Sequence, residues 1–159
     1  MTVVADTSSL NYAVLIGEAE TLHRLYGLIV IPEAVFRELQ SVKTPGPVKS
    51  WVAHRPEWLV VQRAPATLDP GVAHLGPGER EAILLAEQLA VTLLMDETDG
   101  RAEARRRSLP VTGLLGALRD AGERGLTDFP QALARLRKTT FRLSLRLYRA
   151  LVEDPTSKF

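Results

Sequence analysis

Three short apolar runs, Thr2-Val-Val-Ala5, Leu28-Ile-Val-Ile31 and Val91-Thr-Leu-Leu-Met95, alternate with segments whose apolar residues recur at helical spacing. Runs this short and this uniformly apolar suit strands buried on both faces. Strands of that kind joined by helices form a parallel sheet covered on two sides, so the pattern predicts an α/β domain. The first run stops at Asp6-Thr7-Ser8-Ser9, a helix-capping cluster, with helices expected over 10–15 and 18–26. Pro32, after the second run, suits a first helical turn, and its helix is expected over 33–39. Residues 44–47 read as a loop, 48–54 as a helix and 57–61 as a short strand at a sheet edge. The proline- and glycine-rich stretch 64–78 reads as a loop. Ala82, Ile83, Ala86, Leu89 and Ala90 predict a helix over 79–89. Asp96 closes the third run, and a helix is expected from Thr98 or Asp99 to Arg107. A short strand over 110–112 and a helix over 113–121 follow. Helices over 129–136 and 141–152 complete a single domain of residues 1–152, with 153–159 a flexible tail.

The length of 159 residues suits one domain, and a 45% hydrophobic composition is enough for one substantial core. Cysteine is missing, which excludes disulfides, thiolate metal sites and a cysteine nucleophile. Met1 to Leu10 lacks the basic start of an export signal, and no run reaches the roughly 18 to 20 apolar residues of a membrane span. The expected location is the cytoplasm.

Charge is segregated. Residues 1–100 carry 13 Asp/Glu against 7 Lys/Arg, whereas residues 101–159 carry 13 Lys/Arg against 6 Asp/Glu. That is the pattern of an acidic site and a basic surface in one molecule, or of solvated charges segregated by chance.

In an open parallel sheet, ligands bind beyond the carboxyl ends of the strands. Asp6 ends the first strand, Asp96 ends a central one, and Asp99 lies just beyond it. Glu79 starts a helix and Glu38 lies one helix after the second strand. Carboxylates crowded into a cleft repel one another until protons or a cation neutralise them. All-oxygen donors favour magnesium, manganese or calcium, and such ions assist phosphodiester hydrolysis. Each residue also has a plainer reading. Asp6, Asp96 and Asp99 can be helix caps, and Glu79 can simply favour the positive end of its helix. Glu33 and Glu81 serve a charge argument as well as Glu38 does. The set in order carries the inference. His23, His54 and His74 have no metal-ligand spacing and read as surface or satisfied residues. Arg105-Arg106-Arg107 suits a helix C-terminus. Six basic residues and no acid between Arg135 and Arg149 suit an RNA-backbone surface or a solvated helix face. Gly76-Pro-Gly78 is too short for a phosphate loop.

Four segments follow one another in a recognisable order: Val3-Val-Ala-Asp6-Thr-Ser-Ser9, Ile31-Pro-Glu-Ala-Val-Phe-Arg-Glu38-Leu39, Leu75-Gly-Pro-Gly-Glu79-Arg-Glu-Ala82 and Leu93-Leu-Met-Asp96-Glu-Thr-Asp99-Gly-Arg101. Over residues 2–125 the chain resembles PIN-domain ribonucleases of the VapC-like toxin branch, in the subfamily often described only as nucleic-acid-binding proteins containing a PIN domain. The resemblance implies a three-layer α/β/α sandwich with a central, mainly parallel sheet. It implies a magnesium- or manganese-dependent endoribonuclease, the toxin of a toxin–antitoxin module. Asp6, Glu38, Glu79, Asp96 and Asp99 match the family's catalytic acids. Of these, Asp6, Asp96, Asp99 and Glu79 match its metal ligands. Thr7 and Ser8 match the small hydroxyl residues beside the first acid, and Arg101 is a candidate RNA contact. The subfamily's usual Gly-Thr-Leu-Gly is here Gly113-Leu-Leu-Gly116, with Leu114 in place of threonine and Thr112 adjacent as a substitute. RNA, a small cognate antitoxin and a second copy of the chain are the implied partners.

Three other readings compete. One is a non-catalytic nucleic-acid or partner-binding module that keeps the fold. An aspartyl-phosphate phosphatase would need an aspartate where Ser8 stands. A DNA structure-specific nuclease would need an inserted helical arch that this short chain lacks.

Overall fold

The computed structural model describes residues 1–157. The sheet comprises β1 (Thr2–Ala5), β2 (Leu28–Pro32), β3 (Leu59–Gln62), β4 (Thr92–Leu94) and β5 (Val111–Thr112). Its order is β3-β2-β1-β4-β5 and every pairing is parallel, so the short strand at 59–62 does lie at an edge. Val4 sits opposite Val30 on one side and Leu93 on the other. Between the strands run α1 (Thr7–Leu15), α2 (Ala19–Tyr26), α3 (Glu33–Glu38), α4 (Gly46–Ala53), α5 (Pro77–Leu89), α6 (Thr98–Arg106) and α7 (Leu114–Glu123). Helices α8 (Phe129–Arg137) and α9 (Leu145–Glu153) follow.

The two-residue alternation of a strand explains the three layers. Val3, Ala5, Ile29, Ile31 and Leu94 point into one core with Leu22 of α2, Val48 of α4, Leu118 of α7, Leu133 of α8 and Leu151 of α9. Val4, Val30, Leu93 and Met95 point into the opposite core with Ile83 and Leu85 of α5 and Ala104 of α6. The molecule is therefore an α/β/α sandwich. No helix among the described residues is long and apolar enough to cross a membrane.

Two local expectations are corrected. Asp6-Thr7-Ser8-Ser9 is not a four-residue cap: Asp6 alone caps α1, its carboxylate accepting from the Ser9 amide at 3.0 Å, and the next three residues are helical. Helix α9 starts at Leu145 rather than 141. Ser144 caps it by accepting from the Leu147 amide at 3.1 Å, and Phe141 and Leu143 pack on the core from irregular backbone. Glu153, the first residue of the expected tail, is the last of α9, and beyond it Arg119 donates to the Ser157 carbonyl at 3.1 Å. Residues 158–159 of that expected tail lie outside the described residues.

Gly27 sets the register at the α2–β2 junction. Its φ is +79°, a left-handed conformation that glycine adopts without strain, and a Cβ there would stand 2.5 Å from the Met1 carbonyl oxygen.

Arg106 and Arg107 have structural partners. The Arg107 guanidinium bonds Asp69 at 2.7 Å, Glu103 at 2.6 Å and Glu87 at 3.2 Å, tying the 64–76 loop to α5 and α6. Hydrogen bonds from Arg106, and then Arg107, pull the Glu103 carboxyl down to about 2. Arg107 and Glu103 are 9% and 7% exposed, so removing one leaves the other buried without its full complement of partners. Arg107→Ala is expected to destabilise the fold by about 3 kcal/mol in denaturant titration near neutral pH. The Glu103 share of stability is present above the ordinary glutamate range and fades as pH falls toward 2. An Arg107→Ala midpoint equal to wild type would show that the network contributes nothing.

Candidate active site

Strand order reverses direction around β1: the chain moves outward to β2 and β3, then returns to β4 on the other side. Such a switch point leaves a crevice at the carboxyl ends of the two central strands. Asp6 follows β1 and Asp96 follows β4, so both acids stand at that crevice by topology alone. The Asp6 amide donates to the Leu94 carbonyl at 3.0 Å, and the Ser9 hydroxyl donates to Asp96 Oδ2 at 3.0 Å. The two strand ends are thereby stitched together.

The other acids arrive from neighbouring helices. A cavity of about 470 Å³ is lined by Asp6, Glu38, Glu79 and Glu97, with Thr7 and Ser8. A second, of about 430 Å³, carries Asp96 and Glu97; a third, of about 210 Å³, carries Glu79, Glu97 and Asp99. All five acids singled out from the sequence thus line three cavities that share Glu97. Glu97 is common to all three cavities and was not singled out from the sequence. Its signal was simple, an acid between two chosen acids in Asp96-Glu-Thr-Asp99, but adjacent side chains on a chain leaving a strand do not obviously share a face.

Glycines make room for these carboxylates. A Cβ on Gly113 would lie 2.6 Å from Asp96 Oδ1 and 2.8 Å from Arg101 Nη1. One on Gly78 would collide with both carboxylate oxygens of Glu38, and one on Gly100 with the Met95 sulfur, 3.3 Å from Glu79 Oε2. Hydrogen bonds then fix the acids. Glu38 accepts from the Thr7 hydroxyl at 2.5 Å and from the Gly78 amide at 2.8 Å. Asp96 accepts from the Leu114 amide at 3.0 Å.

Electrostatics follow from burial and crowding. Asp6 is 1% exposed, and desolvation pushes its carboxyl up to about 7; the Ser9 hydrogen bonds oppose this, while the Asp96 and Glu97 charges add to it. Desolvation also raises Asp96, against its bonds to Leu114 and Ser9 and the nearby Arg101 charge. Glu79 is raised by partial burial and then by Glu97, Glu38 and Asp99, with His74 acting in the other direction. His74 is exposed at the rim of the third cavity, while His23 and His54 bond the Gly27 and Ser50 carbonyls.

Arg101, Thr112 and Leu114 line none of the three acidic cavities. Arg101 and Thr112 line a separate cavity of about 460 Å³ that also reaches Asp96. Arg101 donates to the Met95 carbonyl at 3.0 Å, so it braces the end of β4. Leu114 is fully buried in the core, and at that position the backbone amide, not the side chain, reaches Asp96.

The donor set suits a divalent cation in its chemistry. Every donor is a hard carboxylate oxygen, and the mutual repulsion that adds to the burial-driven shifts of Glu79 and Asp6 is what a cation relieves. The buried Ser8 hydroxyl lines the same hollow with no hydrogen-bond partner among the described residues. No three His, Asp or Glu side chains among the described residues converge as a closed metal cage, and Glu38 and Asp96 are engaged with protein partners.

A family model described as DUF3368, PIN domain, matches residues 2–155. No curated protein matches the chain.

Proposed function

Because the chain belongs to this PIN-domain family, whose members are generally nucleases, we propose that it is a metal-dependent endoribonuclease acting at the crevice between β1 and β4. The observation that carries the reading is the gathering of Asp6, Glu38, Glu79, Asp96, Glu97 and Asp99 around three cavities that share Glu97 near the switch point. PIN domains typically use divalent metals, and magnesium or manganese suits these donors. When bound, such an ion stabilises charge on the phosphoryl oxygens and lowers the pKa of water. Asp6 and Asp96 would hold it from the strand ends, with Glu79 and Asp99 completing the acidic wall. The unpartnered Ser8 hydroxyl would take a hydrogen bond with the attacking water or a phosphate oxygen. Glu38 and the Thr7 hydroxyl would orient that water from the other side. Hydrolysis then forms a new phosphorus–oxygen bond, breaks the bond to the leaving ribose oxygen and returns a proton to that oxygen.

The resemblance to VapC-like toxins extends this reading to a toxin of the cytoplasm, acting as a homodimer and neutralised by a small cognate antitoxin. A second reading, a catalytically weak module that binds nucleic acid or a partner, is favoured by Glu38 being engaged with Thr7 and Gly78.

Mixed cellular RNA incubated with manganese, magnesium or chelator distinguishes them, beside an Asp96→Asn variant purified identically. Asparagine keeps the acceptor for the Leu114 amide, so the fold is expected to survive. Metal-dependent cutting lost in the variant supports the nuclease. Equal cutting by both proteins marks a contaminant, and metal binding without cutting favours the binding module.

A further inference from the structure

The second cavity is lined by groups of opposite character: the acids Asp96 and Glu97, and Phe141 and Arg142 from the irregular segment before α9. Tyr12 of α1 stands between this cavity and the main acidic one, lining both. Its ring meets Phe141 edge to face, with centroids 5.2 Å apart and planes at 83°. Its hydroxyl shares a 2.8 Å hydrogen bond with Thr140, which fixes the loop against α1. Arg142 is exposed and makes no ion pair among the described residues. Beyond it, Arg146 and Arg149 are also exposed, and no acid occurs between Arg135 and Arg149. By contrast Arg135 is held by Glu18 at 2.6 Å, and Arg137 stacks over Tyr148.

We propose that Tyr12, Phe141 and Arg142 form a seat for one unpaired nucleotide of the RNA strand, beside the acidic hollow, with its base against the aromatic pair and a flanking phosphate on Arg142. This rests on the nuclease reading and specifies how the site would position its strand. The chemistry is that of single-strand recognition: a base offers an apolar face to aromatic rings only when it is unstacked, and its phosphate needs a cation. The cavity, about 430 Å³, lies within the roughly 300–1,000 Å³ of small-ligand sites. An apolar peptide would use the rings alone, whereas a nucleotide uses both the rings and the cation. The three are positioning residues, and the acids remain the reacting centre.

The test is binding of a fluorescent ten-nucleotide single-stranded RNA to full-length Asp6→Asn protein, followed by anisotropy over a salt series. In that background Phe141→Leu, which keeps apolar volume but loses the ring, is expected to weaken binding about tenfold. Arg142→Gln, at an exposed position that does not threaten the fold, is expected to reduce the slope of log affinity against log salt by about 1. Oligonucleotides carrying base-free residues should bind the parent as weakly as Phe141→Leu, and should bind Phe141→Leu no more weakly still. Unchanged affinity in Phe141→Leu, an unchanged salt slope in Arg142→Gln, or an equal base-free penalty in both proteins would overturn the proposal. So would tight, competing binding of a basic or apolar peptide with none of RNA. If wild type cuts RNA but Phe141→Leu binds normally, this inference alone fails; if binding follows the variants but nothing is cut, the nuclease reading alone fails.

Discussion

Asp6→Asn is expected to lose about a thousandfold of metal-dependent RNA cleavage, equivalent to about 4 kcal/mol of transition-state stabilisation, while becoming more stable than wild type in chelator at about pH 8. Both effects come from one placement. Asp6 is 1% exposed at the end of β1, where desolvation, aided by Asp96 and Glu97, pushes its carboxyl up to about 7 from an ordinary value of 3.8. Folded protein therefore keeps a proton that the unfolded chain has released. The stability this confers is complete below the ordinary aspartate range and is lost as pH rises to about 7. A carboxyl displaced that far contributes roughly 4 kcal/mol at most. Asparagine carries no charge to bury, and its side-chain oxygen still accepts from the Ser9 amide as a comparable cap. Denaturant titration in chelator should find the two proteins nearly equal at about pH 4 and the variant ahead at about pH 8. Added manganese should stabilise wild type and narrow the gap. A variant less stable than wild type at every pH would refute the burial argument, and a variant that still cuts RNA would remove Asp6 from the chemistry.

Gly113→Ala is expected to lower kcat by about a hundredfold, with a stability cost of only about 1–2 kcal/mol. Gly113 has φ −98° and ψ 176°, extended backbone that alanine adopts freely, so the effect is steric alone. The new methyl group would stand 2.6 Å from Asp96 Oδ1 and 2.8 Å from Arg101 Nη1. Asp96 has a short side chain anchored by the Leu114 amide and the Ser9 hydroxyl, so it can yield only by breaking one of those bonds. Misplacing a reacting group by about 1 Å is enough for a loss of this size. Gly46→Ala is the control, because a Cβ there meets nothing within 4 Å. Single-turnover cleavage with a thermal melt on each variant separates the cases. Full activity in a folded Gly113→Ala protein would mean that the position of Asp96 is immaterial.

What the sequence determined on its own is the sheet and the acids at its edge. Val3-Val-Ala-Asp6 and Leu93-Leu-Met-Asp96 are runs that can only be buried, each ended by a charge that cannot follow it inside. Local apolar pattern therefore located both strand ends, and the alternation with helices fixed a parallel sheet. Glu38 could not be told from Glu33 or Glu81 in this way, because the choice depends on which helix face meets α5. The fold decides it: Glu38 bonds Thr7 and Gly78, Glu81 reaches the Ala34 amide, and Glu33 pairs with Arg63 at 3.7 Å. Local pattern misplaces the start of α9 because Phe141 stands at helical spacing from Leu145 and Tyr148 while packing from irregular backbone, and only contact with Tyr12, 129 residues earlier, distinguishes the two. Gly78, Gly100 and Gly113 are likewise silent in sequence, since Gly78 and Gly113 are needed for the carboxylates of Glu38 and Asp96 across from them and Gly100 for the Met95 sulfur. Strand order then did what no local pattern can: by returning the chain to the far side of β1, it set Asp6 beside Asp96, 90 residues away, and turned scattered acids into one site.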